Sequence, residues 1–203
     1  MGIKSEKAPS RRKGLTLTDV LVTVVVSLVL GVVYHVWASV SSIAGLLFVQ
    51  SDELVYGMWF AASTLAFLLI RKPGVALIAE IAAAHLEIAF GSAYGIQLLL
   101  YSVVQGLGAE LVFAAFRYRK AGAFVAGLAG IAAAAGSLLA DIYYGYVTEY
   151  ATWLLILKYS LRTISAFVIA GYLMYGLAKL LEKAGVTQSL RPVERKEYDA
   201  LDR

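Results

Sequence analysis

Apolar residues gather in six long runs, at roughly 17–40, 54–70, 73–90, 95–116, 121–141 and 153–178, with short connections between them. A helix rises ~1.5 Å per residue and must cross ~30 Å of hydrocarbon. Each run is read as long enough to do so, and the pattern predicts an all-α integral membrane protein with six transmembrane helices.

Lys and Arg fix the expected orientation, because short connections rich in them stay cytoplasmic. Lys4, Lys7, Arg11, Arg12 and Lys13 precede the first run, Arg71 and Lys72 follow the second, and Arg117, Arg119 and Lys120 follow the fourth. The remaining connections, roughly 41–53, 91–95 and 142–152, carry none, though they hold Asp52, Glu53 and Glu149. Both termini are therefore expected in the cytoplasm. Residues 1–14 read as a basic cytoplasmic segment, 15–183 as the transmembrane domain and 184–203 as a charged cytoplasmic tail. The first run is too long for a cleaved signal and is expected to be retained.

Composition agrees: 60% of residues are hydrophobic and 16% charged, with a mean hydropathy of +0.74. The net charge of +4 arises beside membrane-spanning segments, where anionic lipid accounts for it and nucleic acid is not implied. With no cysteine, disulfides, thiolate metal sites and Cys nucleophiles are excluded. No phosphate-binding loop and no nucleophile motif occurs, so neither an ATPase nor another enzyme is expected. The fifth run, biased to Gly and Ala, suits close helix packing in lipid.

Candidate chemistry lies in what lipid would reject. The third run contains Glu80, His85 and Glu87. A carboxylate there must be paired, hydrogen-bonded or wetted, and a seven-residue spacing at ~100° per residue puts Glu80 and Glu87 nearly on one face. His85 points about 140° away from Glu80 by the same arithmetic. Glu80 lies deep enough to form a cavity floor. Metal binding is not favoured, since no HExxH spacing or second ligand cluster completes a shell.

Tyr34 and Trp37 on the first helix, and Tyr56 and Trp59 on the second, form stripes toward the outer ends. They suit either an interfacial belt or a pocket wall. Gln97, Tyr101 and Gln105 descend along the fourth helix, and Gln105 and Glu110 could equally join neighbouring helices. Asp141 and Lys158 face each other across a connection as natural ion-pair partners, with Arg162 one turn on. Together these groups point to an outward-facing pocket for a small cationic aromatic compound. Rings attract the cation and carboxylates neutralise it. Thiamin fits better than a sugar phosphate, which would want an exposed basic cluster.

The runs LTLTDVLVTVVVSLVLGVVYHVW, KPGVALIAEIAAAHLE and GSAYGIQLLLYSVVQGLGAELVFA, over roughly residues 15–185, resemble the YkoE-type substrate-binding subunits of energy-coupling factor transporters. The resemblance implies an S component of the bacterial or archaeal plasma membrane that captures thiamin or its hydroxymethylpyrimidine precursor. It implies work with a transmembrane coupling subunit and cytoplasmic ATPase subunits, and no cofactor. It also implies toppling of the subunit within the membrane and a small-residue docking stripe on the first helix, which would here be Thr23, Ser27 and Gly31. The expected binding residues are Glu80, Trp37, Trp59, Tyr34, Tyr56, His85, Glu87, Gln97 and Tyr101. The competing reading is a proton-coupled or solo carrier using Glu80, Glu87 or Asp141 as a relay.

Overall fold

Thr16 opens the first helix, α1 (Leu17–Ala44), through a reciprocal capping box with Asp19, which satisfies two otherwise orphaned backbone donors. The computed structural model describes residues 14–187. The basic segment read at 1–14 and the tail read at 184–203 fall almost wholly outside them. Two 3-10 turns, Ser51–Leu54 and Tyr56–Phe60, lead into α2 (Ala61–Ile70), followed by α3 (Val75–Ala89), α4 (Gln97–Ala115) and α5 (Ala123–Tyr143). A further 3-10 turn, Tyr146–Glu149, precedes α6 (Thr152–Ser165). A π-helical stretch, Ala166–Leu173, joins α6 to α7 (Met174–Lys183). No strand occurs among the described residues.

Four helical stretches among the described residues are long and apolar enough to cross a membrane: Leu17–Ala44, Gln97–Ala115, Ala123–Tyr143 and the continuous Thr152–Lys183. The expectation that all six runs have that length is corrected. At 15 residues, α3 rises only about 22 Å at ~1.5 Å per residue, and Tyr56–Ile70 with its 3-10 entry rises about 25 Å. The second run starts late because Gly57 gives its N–H to Ser165 Oγ at 2.8 Å, outside the helical ladder. The third stops where Gly91 takes φ +87°, a backbone state open to glycine and costly for other residues. Large apolar side chains such as Leu17, Val25, Val29 and Leu111 lie exposed on the surface, the reverse of a water-soluble bundle and the arrangement hydrocarbon favours.

Small residues set the helix approaches. Added Cβ atoms at Gly108 and Gly136 would strike the carbonyls of Ala132 and Val104 across the α4–α5 contact. One at Gly171 would lie 2.5 Å from Gly127 Cα. The Gly/Ala bias of α5 is thus a packing device. Gly136→Ala is expected to destabilise the protein by about 1–3 kcal/mol, because the opposing atom is backbone and cannot rotate away. A lowered unfolding temperature in detergent would reveal it.

Thr23, Ser27 and Gly31 continue this logic on α1. Ser27 Oγ donates to the Ala79 carbonyl at 3.1 Å, and a Cβ at Gly31 would sit 2.7 Å from Leu86 Cβ. Thr23 and Ser27 are buried. The stripe is covered by α3 and is not a free docking surface, which corrects the expectation. Smallness here serves contact within the chain, and the face α1 exposes carries Leu21, Val25, Leu28, Val29 and Val32 instead.

At the end of the bundle bearing the α2–α3 and α4–α5 connections, Lys72 Nζ meets buried Asp19 at 2.5 Å, and Arg71 meets Glu182 at 3.3 Å. Glu110 accepts from the backbone N–H groups of Gly74 at 2.6 Å and Ala76 at 3.1 Å. This carboxylate satisfies the orphaned donors at the start of α3 and complements its dipole, so Glu110 joins helices and takes no part in a pocket.

Candidate functional site

At the opposite end, a cavity of about 360 Å³ opens among the 3-10 turns after α1, the 91–96 connection and the 144–151 connection. Its size falls within the range of small-molecule sites. Helix α3 supplies the depth. Glu80 lies 1% exposed at the floor, where its carboxylate accepts from Ser63 N–H at 2.9 Å and Tyr34 Oη at 3.4 Å. Tyr34 Oη in turn accepts from Ala62 N–H at 2.8 Å, which ties α1, α2 and α3 together beneath the cavity.

Glu87 stands two turns nearer the mouth, roughly 10 Å along the helix, and also lines the cavity. It accepts from Ser92 Oγ at 3.4 Å and from the Trp59 side chain. Among the described residues no Lys or Arg comes within ion-pair distance of Glu80 or Glu87. Tyr56 and Trp59, with ring centroids 5.3 Å apart, form one wall, and Tyr94, Tyr101 and Gln105 line the cavity from the α4 side.

The remaining wall is a cluster of four charges. Arg162, 2% exposed, forks onto Glu53 through Nε at 2.6 Å and Nη2 at 2.7 Å. Its Nη1 reaches Asp141 at 3.0 Å and Ser137 Oγ at 2.8 Å. Lys158 Nζ lies 3.5 Å from Asp141 and 3.9 Å from Glu53. Tyr159 Oη donates to Asp141 at 2.8 Å, and Tyr101 Oη also donates to Asp141. The Tyr56 ring covers the guanidinium with its centroid 3.7 Å from the central carbon, a stacked cation–π contact. The expected Asp141–Lys158 pair is present, within a larger network.

Of the residues expected to bind ligand, Tyr34, Tyr56, Trp59, Glu80, Glu87 and Tyr101 line one cavity. Trp37, His85 and Gln97 do not. Trp37 gives its indole N–H to the Val55 carbonyl at 2.9 Å, so it braces the 3-10 segment from outside the cavity. His85 is exposed, with Nδ1 2.7 Å from the Ile81 carbonyl one turn back; the helical angle that separates it from Glu80 takes it away from the cavity. Gln97 accepts from Tyr146 Oη at 2.8 Å, supporting a lining residue without lining the cavity itself.

Sequence reasoning missed Asp52, Glu53, Tyr94, Tyr146 and Tyr150 as lining residues, and it placed Asp141, Lys158 and Arg162 near the pocket without counting them among the ligand-binding residues. The dense tyrosines of DIYYGYVTEY at 141–150 were the available signal. Among the described residues no group of three or more His, Cys, Asp or Glu could hold a metal ion. Glu80 and Glu87 are two turns apart, with no imidazole beside them to complete a set suited to a divalent transition metal.

Residues 18–136 match the family described as "ABC-type cobalt transport system, permease component". The chain is 32% identical over 179 residues to the "Putative HMP/thiamine permease protein YkoE" of Bacillus subtilis (strain 168), covering 88% of this chain and 90% of the relative. A solved structure titled "Crystal structure of an S-component of ECF transporter" superposes with a TM-score of 0.85 at 30% identity, covering 93% of this chain and 98% of that one.

Proposed function

This chain belongs to the family of ABC-type cobalt transport permease components and, within it, to the YkoE-type S components of energy-coupling factor transporters; on that premise we propose that it captures thiamin or its hydroxymethylpyrimidine moiety for import. The family consists of transporter subunits and not of enzymes. The single observation that carries the ligand reading is the pair of buried carboxylates, Glu80 and Glu87, without a basic partner among the described residues, in an aromatic-walled hollow. Buried carboxylates without a cation are costly. A bound organic cation relieves that cost, and Tyr56, Trp59 and Tyr94 offer ring faces for it.

In this reading Glu80 accepts from the exocyclic amine of the aminopyrimidine at the floor, and the thiazolium lies between Glu87 and the Tyr56–Trp59 wall. Gln105, which lines the cavity, offers an amide N–H donor to a pyrimidine ring nitrogen. Cobalt as cargo is not supported, because the donor set is oxygen-only and dispersed.

The membrane arrangement follows from the same premise. The protein is integral to a membrane, and we take the cavity to open outward in the plasma membrane, with six helical segments inserted and both termini cytoplasmic, since Arg71, Lys72, Arg117, Arg119 and Lys120 sit at the end opposite the cavity. Two of the inserted segments are short, and the 3-10 turns and connections at the mouth complete their passage within protein rather than lipid. A transmembrane coupling subunit and cytoplasmic ATPase subunits would supply the energy of release.

Mass spectrometry of small molecules extracted from the purified protein tests the ligand reading. Thiamin or hydroxymethylpyrimidine is expected; a copurified anion or sugar would refute it. Trp59→Ala is expected to weaken thiamin binding about tenfold, on the ~0.5–2 kcal/mol scale of a desolvated cation–π contact. Trp37→Phe should change affinity less than Trp59→Ala, because Trp37 stands outside the cavity. Parallel titrations of the two variants check the ranking.

A further inference from the structure

Lys158 and Arg162 are the Lys and Arg side chains that line the cavity, and each is already committed to carboxylates of the same chain. Arg162 presents its fork to both oxygens of Glu53 at 2.6 and 2.7 Å and its remaining edge to Asp141 at 3.0 Å. Lys158 stands between the same two carboxylates, at 3.5 and 3.9 Å. Two cations and two anions leave this wall formally neutral. Glu80, Glu87, Asp52 and Glu149, which also line the cavity, add carboxyl groups without a basic partner within ion-pair distance among the described residues.

The guanidinium fork that a carboxylate enters through two parallel hydrogen bonds accepts a phosphate in the same way. The Lys158 ammonium, close to the same two carboxylates, would add a second cation to such a cradle. Glu53 fills that cradle from within. Stacking of the Tyr56 ring on the guanidinium, 3.7 Å from centroid to central carbon, keeps the fork aimed at Glu53 and opposes a swing toward a competing anion.

We propose that Glu53 is a specificity-determining residue, an internal anion that occupies the one phosphate-competent position of the cavity and so admits the free alcohol while rejecting its phosphate esters. The inference rests on the thiamin reading above and adds the residue that bars phosphorylated forms. An incoming phosphate must either displace a bidentate carboxylate or lie beside it, and like charges set against each other at a desolvated contact cost several kcal/mol.

The test titrates purified full-length protein with thiamin and with thiamin monophosphate, in wild type, Glu53→Gln and Asp141→Asn. Wild type is expected to bind the phosphate ester at least about 100-fold more weakly. In Glu53→Gln that ratio is expected to shrink at least about tenfold, and inorganic phosphate should raise the unfolding temperature of this variant and not of wild type. Asp141→Asn keeps the Glu53 fork but releases part of Lys158, and should move the ratio in the same direction by less. Equal binding of both compounds by wild type overturns the inference and leaves the thiamin reading standing, as does a ratio unchanged in both variants. Should neither variant fold, the wild-type ratio decides. If wild type binds neither compound, the thiamin reading itself fails and this inference falls with it.

Discussion

Glu80→Gln is expected to weaken thiamin binding by about 10- to 100-fold while leaving the unfolding temperature nearly unchanged. The magnitude follows from the ~1.5–3 kcal/mol of a hydrogen bond to a charged group. Thermal stability should survive because the amide oxygen of Gln still accepts from Ser63 N–H, which lies 2.9 Å from the carboxylate in the native protein. Removing the charge lowers the cost of burying this position, which offsets any loss at Tyr34. The two readouts separate two roles for Glu80. A structural brace would lose stability and keep affinity, whereas a ligand-binding carboxylate loses affinity and keeps stability. Titration and thermal unfolding of the same preparation distinguish them.

Arg162→Met is expected to produce the largest loss of stability of any single substitution at the cavity, about 3–5 kcal/mol. Glu53 and Asp141, 2% and 3% exposed, would keep their charges with only Lys158 nearby, and the stacking partner of Tyr56 would be gone. Arg162→Lys should recover only part of this, because an ammonium cannot reproduce the two-pronged contact with Glu53. The consequence reaches the ligand indirectly. Glu53 belongs to the connection after α1, Asp141 to α5 and Arg162 to α6, so their network fixes three walls in one geometry. Denaturant unfolding in detergent measures the effect, and a loss below about 1 kcal/mol, the scale of an exposed pair, would place the network at the surface.

What was legible in the sequence follows a physical division. Glu80 stood out because a carboxylate within an apolar run demands a partner, and its seven-residue spacing from Glu87 needs only helix geometry to place both on one face. The Asp141–Lys158 pair was legible because the two residues flank a single short connection. The Glu53–Arg162 fork was not, since its partners are 109 residues apart and Glu53 lies on a 3-10 turn whose path no periodicity encodes. The late start of the second helix depends on Ser165 Oγ receiving the Gly57 N–H, which is again a tertiary contact.

The misplacements have equally specific causes. Trp37 follows Tyr34 by three residues, yet Tyr34 points to the cavity floor while the indole N–H is claimed by the Val55 carbonyl. His85 is about 140° from Glu80 on a helical projection, and it is exposed and absent from the cavity lining. Thr23, Ser27 and Gly31 are small because α3 crosses them, and smallness alone does not tell an internal helix crossing from an external docking face.

The central claim is that Glu80, Glu87, Tyr56 and Trp59 form one binding site for a cationic aminopyrimidine ligand. Equilibrium titration of the purified protein with thiamin, read by intrinsic tryptophan fluorescence, tests it most directly. The expected result is saturable one-to-one binding with a dissociation constant below about 1 μM, or about −8 kcal/mol, lost in large part on Glu80→Gln. Absence of saturable binding of either thiamin or hydroxymethylpyrimidine up to millimolar concentration would contradict it.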